Sequence, residues 1–240
     1  MIPRFESSDA EIPPQAAFWM PTEEDIPADE GIGFFRNVWM ILGVSRVEAD
    51  VMASQESEYI AKIDDLTASP EEFERVAACL DRECVDSTRD PDTSERLLEA
   101  FPGLIDESDD ETYNDEPFMD LGSLEVGVAA LSRALAYIGG VPVASCRAHI
   151  ASGSWADRPV VYAALNRQRV EWLQPLIREN DCGFHTDPNR GQFLVVDAPS
   201  IVESNALALR IVRDFSRDGC GFERWLDLKS FDWFYGASED

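Results

Sequence analysis

The sequence predicts an α+β fold: a helical N-terminal half followed by a two-layer α/β sandwich with a mostly antiparallel four-stranded sheet. Three observations carry this prediction. Apolar side chains recur every three or four positions through the first hundred residues, which is the helical spacing. Beyond residue 123, helical periods alternate with short runs rich in β-branched residues. A hydrophobic content of 45% is that of a chain with a packed core.

Composition divides the chain into four predicted regions. Residues 1–31, rich in Pro, Asp and Glu, are expected to form an extended arm, and the apolar group Phe18-Trp19-Met20 is expected to dock. Residues 32–104 form a helical region. Residues 105–122 form an acidic linker loop, in which a stretch of eleven residues contains seven acidic ones. Residues 123–240 form the α+β domain with its aromatic C-terminal tail.

Four helices are expected in the helical region. The apolar spacing predicts one over residues 32–48 and a second over residues 47–64. Ser69-Pro70-Glu71-Glu72 predicts the start of a third, in which Ser caps, Pro fits the first turn and Glu72 closes the capping box. A fourth follows Asp92, and Pro102-Gly103 ends it.

The C-terminal half is expected to build the sheet. Its elements in chain order are a helix over 124–138, strands over 141–145 and 159–165, a helix over 167–179, strands over 183–186 and 192–196, and a helix from Ser200. The last two strands form a predicted hairpin, because residues 187–191 read Asp-Pro-Asn-Arg-Gly, a turn sequence.

The charge is strongly acidic. There are 47 acidic residues against 20 basic ones, which gives a net charge of −27. Direct nucleic-acid binding and binding to an anionic membrane surface are disfavoured, because both need clustered Lys and Arg. The expected partner is instead a basic protein, which an acidic face would attract and select.

The N-terminal sequence lacks the basic and apolar regions of a secretory signal, and no run of about 18 apolar residues is present to cross a membrane. The chain has five cysteines, an odd number, and none of the features of a small disulfide scaffold. We therefore expect a cytoplasmic protein whose thiols are free or bound to metal.

Two Cys-x-x-His pairs stand out. The chain has only two histidines, and each follows a cysteine by three positions: Cys146 with His149, and Cys182 with His185. Two thiolates and two imidazoles are the ligand set of a tetrahedral Zn²⁺ site. The four can converge only if their strands are neighbours, and each pair must sit in a turn, because positions i and i+3 of a strand face opposite ways.

Two other interpretations of these residues remain open. One is a thiol-based site, in which Arg147 lowers the pKa of a nucleophilic Cys146, His149 or His185 acts as base, and Asp187 orients that base. Its catalytic candidates are therefore Cys146, His185 and Asp187. The other is that the cysteines pack as small apolar residues and the histidines are hydrogen-bonded in loops.

The segment from Gly139 to His149 resembles, over about ten residues, the Ser-Cys-x-Gly segment of wybutosine-synthesis methyltransferases. Ala148 stands where that pattern has glycine. No methyl-donor site is otherwise recognisable, so the resemblance implies no function for this chain.

No complete catalytic signature, phosphate loop or nucleophile elbow occurs in the sequence. The first expectation is therefore an acidic cytoplasmic binding or regulatory protein: an inhibitor, an immunity-type protein or a subunit of a complex that engages a basic partner. The alternative is a Cys/His-centred hydrolase or transferase that uses Zn²⁺ or a thiol.

Overall fold

The structure, a computed structural model, describes residues 1–21, 31–32, 35–36, 41, 43–81, 91–101, 121, 124–150, 154–218 and 222. Within these ranges it contains six helices and a four-stranded antiparallel sheet, an α+β fold as the sequence predicts. The elements are β1 Gly31–Ile32, β2 Phe35–Arg36, α1 Arg46–Leu66, α2 Pro70–Asp81, α3 Pro91–Ala100, α4 Ala129–Tyr137, β3 Val141–Cys146, β4 Val160–Ala164, α5 Arg167–Glu179, β5 Gly183–Thr186, β6 Leu194–Asp197 and α6 Ile201–Asp218.

The four-stranded sheet has the order β3-β4-β6-β5, and each neighbouring pair is antiparallel. The predicted hairpin is confirmed as β5 and β6. The register aligns Cys146, Val160, Asp197 and Gly183 in one row across the sheet. The two strands that carry the Cys-x-x-His segments, β3 and β5, are therefore the two edges of this sheet.

The two faces of the sheet have different surroundings. The helix face turns side chains such as Val161, Val196 and Phe184 into the main core, together with apolar residues of α1, α4 and α6. The opposite face, which we call the pocket face, carries a smaller cluster that includes Tyr162 and Val195. Alternate residues of each strand face opposite ways, which explains why strands buried on both sides are almost wholly apolar.

The predicted helix over residues 32–48 is wrong for the residues described there. Gly31–Ile32 and Phe35–Arg36 pair as two short antiparallel strands. Helix α1 begins only at Arg46, because Ser45 caps it: the Ser45 hydroxyl accepts the Glu48 N–H, and the Glu48 carboxylate accepts the Ser45 N–H at 2.7 Å. The next predicted helix, over 47–64, is confirmed as α1.

Two helix starts differ from the prediction in detail. Ser69 caps α2 by accepting the Glu72 N–H at 3.2 Å, but the Glu72 carboxylate bonds the N–H of Ala68. Helix α4 starts at Ala129, five residues later than predicted. The reason is Glu56 of α1, a buried carboxylate that accepts three backbone N–H groups at the start of α4.

The N-terminal arm runs beside β5. The Asp9 backbone carbonyl accepts the N–H of Phe184 at 2.9 Å, and the N–H of Ser8 donates to the Asp197 carboxylate. A side chain at Gly183 would meet the Ser8 carbonyl oxygen at 2.2 Å, so glycine is required for this close approach. Trp19 packs edge-to-face on Phe193 at 5.4 Å.

The acidic run and the aromatic C-terminal tail lie outside the described residues, apart from Phe222. Among the helices that the structure describes, none is long and apolar enough to cross a bilayer.

Candidate functional site

A cavity of about 420 Å³ opens on the pocket face of the sheet. This volume suits a small molecule. Its lining residues are His149, Ser154, Trp155, Ala156, Asp157, Val160, Tyr162 and His185. Both histidines of the chain therefore line one pocket, although they come from opposite edges of the sheet.

The first Cys-x-x-His segment folds into a turn. Cys146 ends β3, and Ala148 then adopts a φ of 70°, in the left-handed region that favours glycine. Ala148 is also the residue that replaces glycine in the resembled segment. The turn brings Cys146 and His149 together with Glu125, so that one ligand atom from each lies within 4.8 Å of the other two. This Glu/Cys/His group, which we call the triad, could hold a metal ion.

Two carboxylates fix the His149 ring. Its Nδ1 lies 2.6 Å from Glu74, and its Nε2 lies 2.8 Å from Glu125. The other Glu125 oxygen accepts the N–H of Arg147 at 2.7 Å. Helix α2 thus supplies one carboxylate, and the segment before α4 supplies the other.

The structure does not support an activated Cys146 thiol. Arg147 is buried, and its guanidinium pairs with Glu74 and Asp81 of α2. Burial, with the Glu125 charge as a second cause, raises the pKa of Cys146 to about 11. Because the thiolate is the nucleophile, a thiol with a raised pKa is poorly activated near neutral pH. The expectation that Arg147 lowers this pKa is therefore wrong, since its charge is already paired.

The second Cys-x-x-His segment has the opposite geometry. Cys182 precedes β5 and packs in the main core on the helix face, where its Sγ donates to the Asn180 carbonyl at 3.3 Å. Burial raises its pKa. His185 lies within β5 and faces the pocket. Edges of a four-stranded sheet are three strand spacings apart, roughly 14 Å. Cys182 and His185 accordingly do not join the triad, which is the one metal-ligand group found among the described residues.

His185 is held by Asp197, a fully buried carboxylate at the end of β6. Its Nδ1 lies 2.7 Å from Asp197 Oδ2, and the N–H of Ser8 donates to Oδ1 at 2.8 Å. Asp187, the orienting residue expected from the sequence, instead accepts the Tyr162 hydroxyl at 3.1 Å and pairs with Arg190.

An aromatic group forms one wall of the pocket. The Trp155 ring is 42% exposed and lies 5.7 Å from the Tyr162 ring. The Arg190 guanidinium lies over the Trp155 ring at 4.5 Å. Asp157 pairs with Arg158, so its charge is partly neutralised.

Sequence reasoning missed four polar residues here: Ser8, Glu74, Glu125 and Asp197. One of them left a signal. Asp197 ends an apolar strand, Leu-Val-Val-Asp, where a buried charge requires a partner. The two glutamates lie among many exposed acidic residues, and nothing in their local sequence distinguishes them.

Comparison with protein-family models, with curated proteins and with solved structures finds no match for this chain. The site is therefore interpreted from its own geometry.

Proposed function

We propose that this chain is a metal-dependent enzyme of the hydrolase or transferase type, with the pocket as its reaction site. The observation that carries the proposal is the triad: Glu125, Cys146 and His149 place three ligand atoms within 4.8 Å of one another, and His149 lines the pocket. Three protein ligands with a fourth position open to a pocket is the arrangement of catalytic zinc sites.

The chemistry of the donors favours Zn²⁺. A thiolate and an imidazole select zinc over Mg²⁺ or Ca²⁺, which prefer oxygen ligands. A Cys146 thiolate and the Glu125 carboxylate together carry two negative charges, which one divalent ion neutralises. A bound cation also deprotonates a coordinating thiol, so the high pKa of Cys146 without metal is no obstacle.

The distances support the same assignment. Zinc bonds of about 2.0–2.3 Å put tetrahedral ligand atoms roughly 3.5 Å apart, so small side-chain movements would close the triad. His149 satisfies both of its carboxylate neighbours only when both ring nitrogens carry protons. A metal on Nε2 would replace the contact with Glu125, and Nδ1–H would still donate to Glu74.

Glu74 would then be the outer carboxylate that orients a metal-bound histidine. Its position is firm, because Arg147 holds the same oxygen at 3.1 Å. Its other oxygen is buried and has no partner among the described residues. When bound, the metal would activate a water molecule or polarise a substrate oxygen; the chain's own residues would bind the substrate and move protons.

Cobalt substitution tests this proposal. We expect Co²⁺ added to chelator-treated protein to saturate at one equivalent and to give a thiolate-to-cobalt charge-transfer band. The band should be lost in Cys146→Ser and kept in Cys79→Ser, a matched control because Cys79 is equally buried outside the site. Hydrolysis of small ester and amide substrates should then require both the metal and Glu125. A protein that binds no Co²⁺, or a band that survives Cys146→Ser, contradicts the proposal.

The charge of −27 favours a second candidate: an acidic cytoplasmic binding or regulatory protein that engages a basic protein. Exposed charges separated by more than about 8 Å are screened at physiological salt, so such binding should weaken steeply as salt rises. Affinity capture at low and at high salt tests it. A basic partner recovered only at low salt supports the candidate, and no partner at either salt contradicts it.

A further inference from the structure

The second histidine forms a site of its own in the same pocket. Asp197 is 0% exposed, and each of its two carboxylate oxygens has a partner: His185 Nδ1 at 2.7 Å and the Ser8 N–H at 2.8 Å. In the β5–β6 pair Asp197 lies opposite Gly183 and His185 lies opposite Val195, so the histidine and the aspartate are diagonal neighbours on one face of the sheet. No described residue bonds the other ring nitrogen, Nε2, and the ring lines the pocket.

The Asp197 carboxyl is ionised in this setting. Burial alone would raise its pKa, but the hydrogen bonds from His185 and Ser8 together outweigh burial and hold the pKa below its usual value. An ionised carboxylate accepts a hydrogen bond from Nδ1–H, so it fixes the histidine tautomer. The Nε2 lone pair is then free on the pocket side.

We propose that His185 is the general base of this pocket, and that its Nε2 takes the proton of a bound water molecule or substrate hydroxyl. The oxygen gives up that proton as it bonds to an electrophilic carbon of the substrate. The imidazolium, stabilised by Asp197, returns the proton to the departing group. This assignment rests on the pocket being the reaction site proposed above, but not on a metal at the triad.

Ser8 would be a positioning residue that acts through Asp197. Its backbone N–H makes the 2.8 Å bond to Oδ1, and its hydroxyl oxygen lies 3.4 Å from His185 Nδ1. The arm can approach closely enough only because residue 183 is glycine. The N-terminal arm would therefore belong to the reaction site, although it is far from His185 in sequence.

The two histidines provide an internal comparison for the test. Their side chains are similarly exposed, 27% for His149 and 33% for His185. Both nitrogens of His149 contact carboxylates, whereas His185 has Nε2 free of described partners. Diethyl pyrocarbonate acylates a neutral imidazole nitrogen, so its rate reports a free lone pair. We expect chelator-treated protein to react at least about tenfold faster at His185 than at His149.

Variants distinguish a His185 ring whose tautomer is fixed by Asp197 from a ring that is only exposed to the reagent. Asp197→Asn should slow acylation of His185 at least about tenfold, because the tautomer is no longer fixed. Ser8→Pro, which removes the N–H, should also slow it. Circular dichroism would confirm that each variant folds.

The tautomer can also be read in the wild-type protein, which needs no variant. With two histidines in the chain, a long-range ¹H–¹⁵N spectrum contains two ring systems, and His185→Ala assigns them. We expect the His185 proton on Nδ1. A proton on Nε2, or acylation of His185 no faster than that of His149, would overturn the proposal. Because the protein is metal-free here, such a failure is distinct from failure of the metal site.

Discussion

The two Cys-x-x-His segments share one spacing and differ in backbone conformation. In the first, β3 ends at Cys146 and a turn through Ala148 brings His149 back beside the thiol. In the second, the chain runs on as β5, and side chains three positions apart on a strand face opposite ways. Cys182 therefore packs on the helix face, while His185 faces the pocket.

The difference teaches that spacing becomes a site only through backbone conformation. A turn with one positive-φ residue brings the Cys146 thiol and the His149 ring together, whereas in the second segment Cys182 packs in the core and His185 lines the pocket. The face of the sheet on which a cysteine or histidine lies therefore decides whether its side chain packs in the core or reaches the pocket.

The largest expected effect is on zinc affinity. His149→Ala should weaken Zn²⁺ binding by more than about 100-fold, since even outer partners of a metal ligand contribute 10–100-fold. His185→Ala should leave the affinity unchanged within about threefold, because His185 is not part of the triad. Competition with a chromophoric chelator measures both. Equal losses in the two variants would mean that the segments act together, and the contrast would fail.

Two buried carboxylates, Glu56 and Asp197, should make stability contributions that depend on pH in opposite ways. Burial raises the pKa of Glu56, on the helix side, to about 7 from 4.5. Its stabilisation is full below pH 4.5 and is lost as pH rises through 7. Relative to Glu56→Gln, the wild-type free energy of unfolding should fall by about 3 kcal/mol between about pH 4 and pH 8.

Asp197, equally buried on the pocket side, should show the opposite dependence. Its pKa is lowered, so its stabilisation is present above its unfolded pKa and is lost as pH falls through the folded value. Urea unfolding beside the wild type measures both differences: Glu56→Gln between about pH 4 and pH 8, and Asp197→Asn from about pH 4 downward, where the Asp197 contribution is lost. The same sign of pH dependence for the two would contradict the account.

A smaller effect is expected from the outer carboxylate. Glu74→Gln should reduce Zn²⁺ affinity by about 10-fold to 100-fold, because a neutral amide orients His149 less strongly than a carboxylate does. Glu72→Gln is the matched control, because it lies on the same helix and makes the same charge change. It should leave the Zn²⁺ affinity unchanged, since in the described structure Glu72 bonds only residues at the start of α2. The same chelator competition measures it. An unchanged Zn²⁺ affinity in Glu74→Gln would show that Glu74 does not orient a metal-bound His149.

The smallest effect tests the turn itself. Ala148→Gly should raise the free energy of unfolding by about 0.5–1 kcal/mol, because an L side chain is strained at a φ of 70°. Ala144→Gly, in β3, should lower it by about the same amount, since glycine weakens a strand. Urea denaturation compares the two. Destabilisation by both changes would show that Ala148 is not strained.

Much of the fold follows from local patterns in the sequence. The helical period over 47–64 and the hairpin turn at 187–191 predicted α1 and the β5–β6 pair, because each depends on neighbours in the chain. The helix over 32–48 was wrong, since apolar spacing did not reveal the cap at Ser45. The late start of α4 depends on Glu56, more than seventy residues away.

The candidate site was only partly predictable, for the same reason. Cys146, His149 and His185 stand out because cysteine and histidine are rare in this chain. That β3 and β5 are opposite edges depends on strand order, which spacing does not encode. The orienting role expected for Asp187 is taken by Asp197, which pairing of β5 with β6 brings beside His185.

The most direct test is the zinc content of two cysteine variants beside the wild type, by elemental analysis of protein purified without a metal-chelating tag. Our account predicts one zinc per chain in the wild type and in Cys182→Ser, and none in Cys146→Ser. Loss of zinc from both variants, or a wild type without zinc, would contradict the proposal that Glu125, Cys146 and His149 form the metal site.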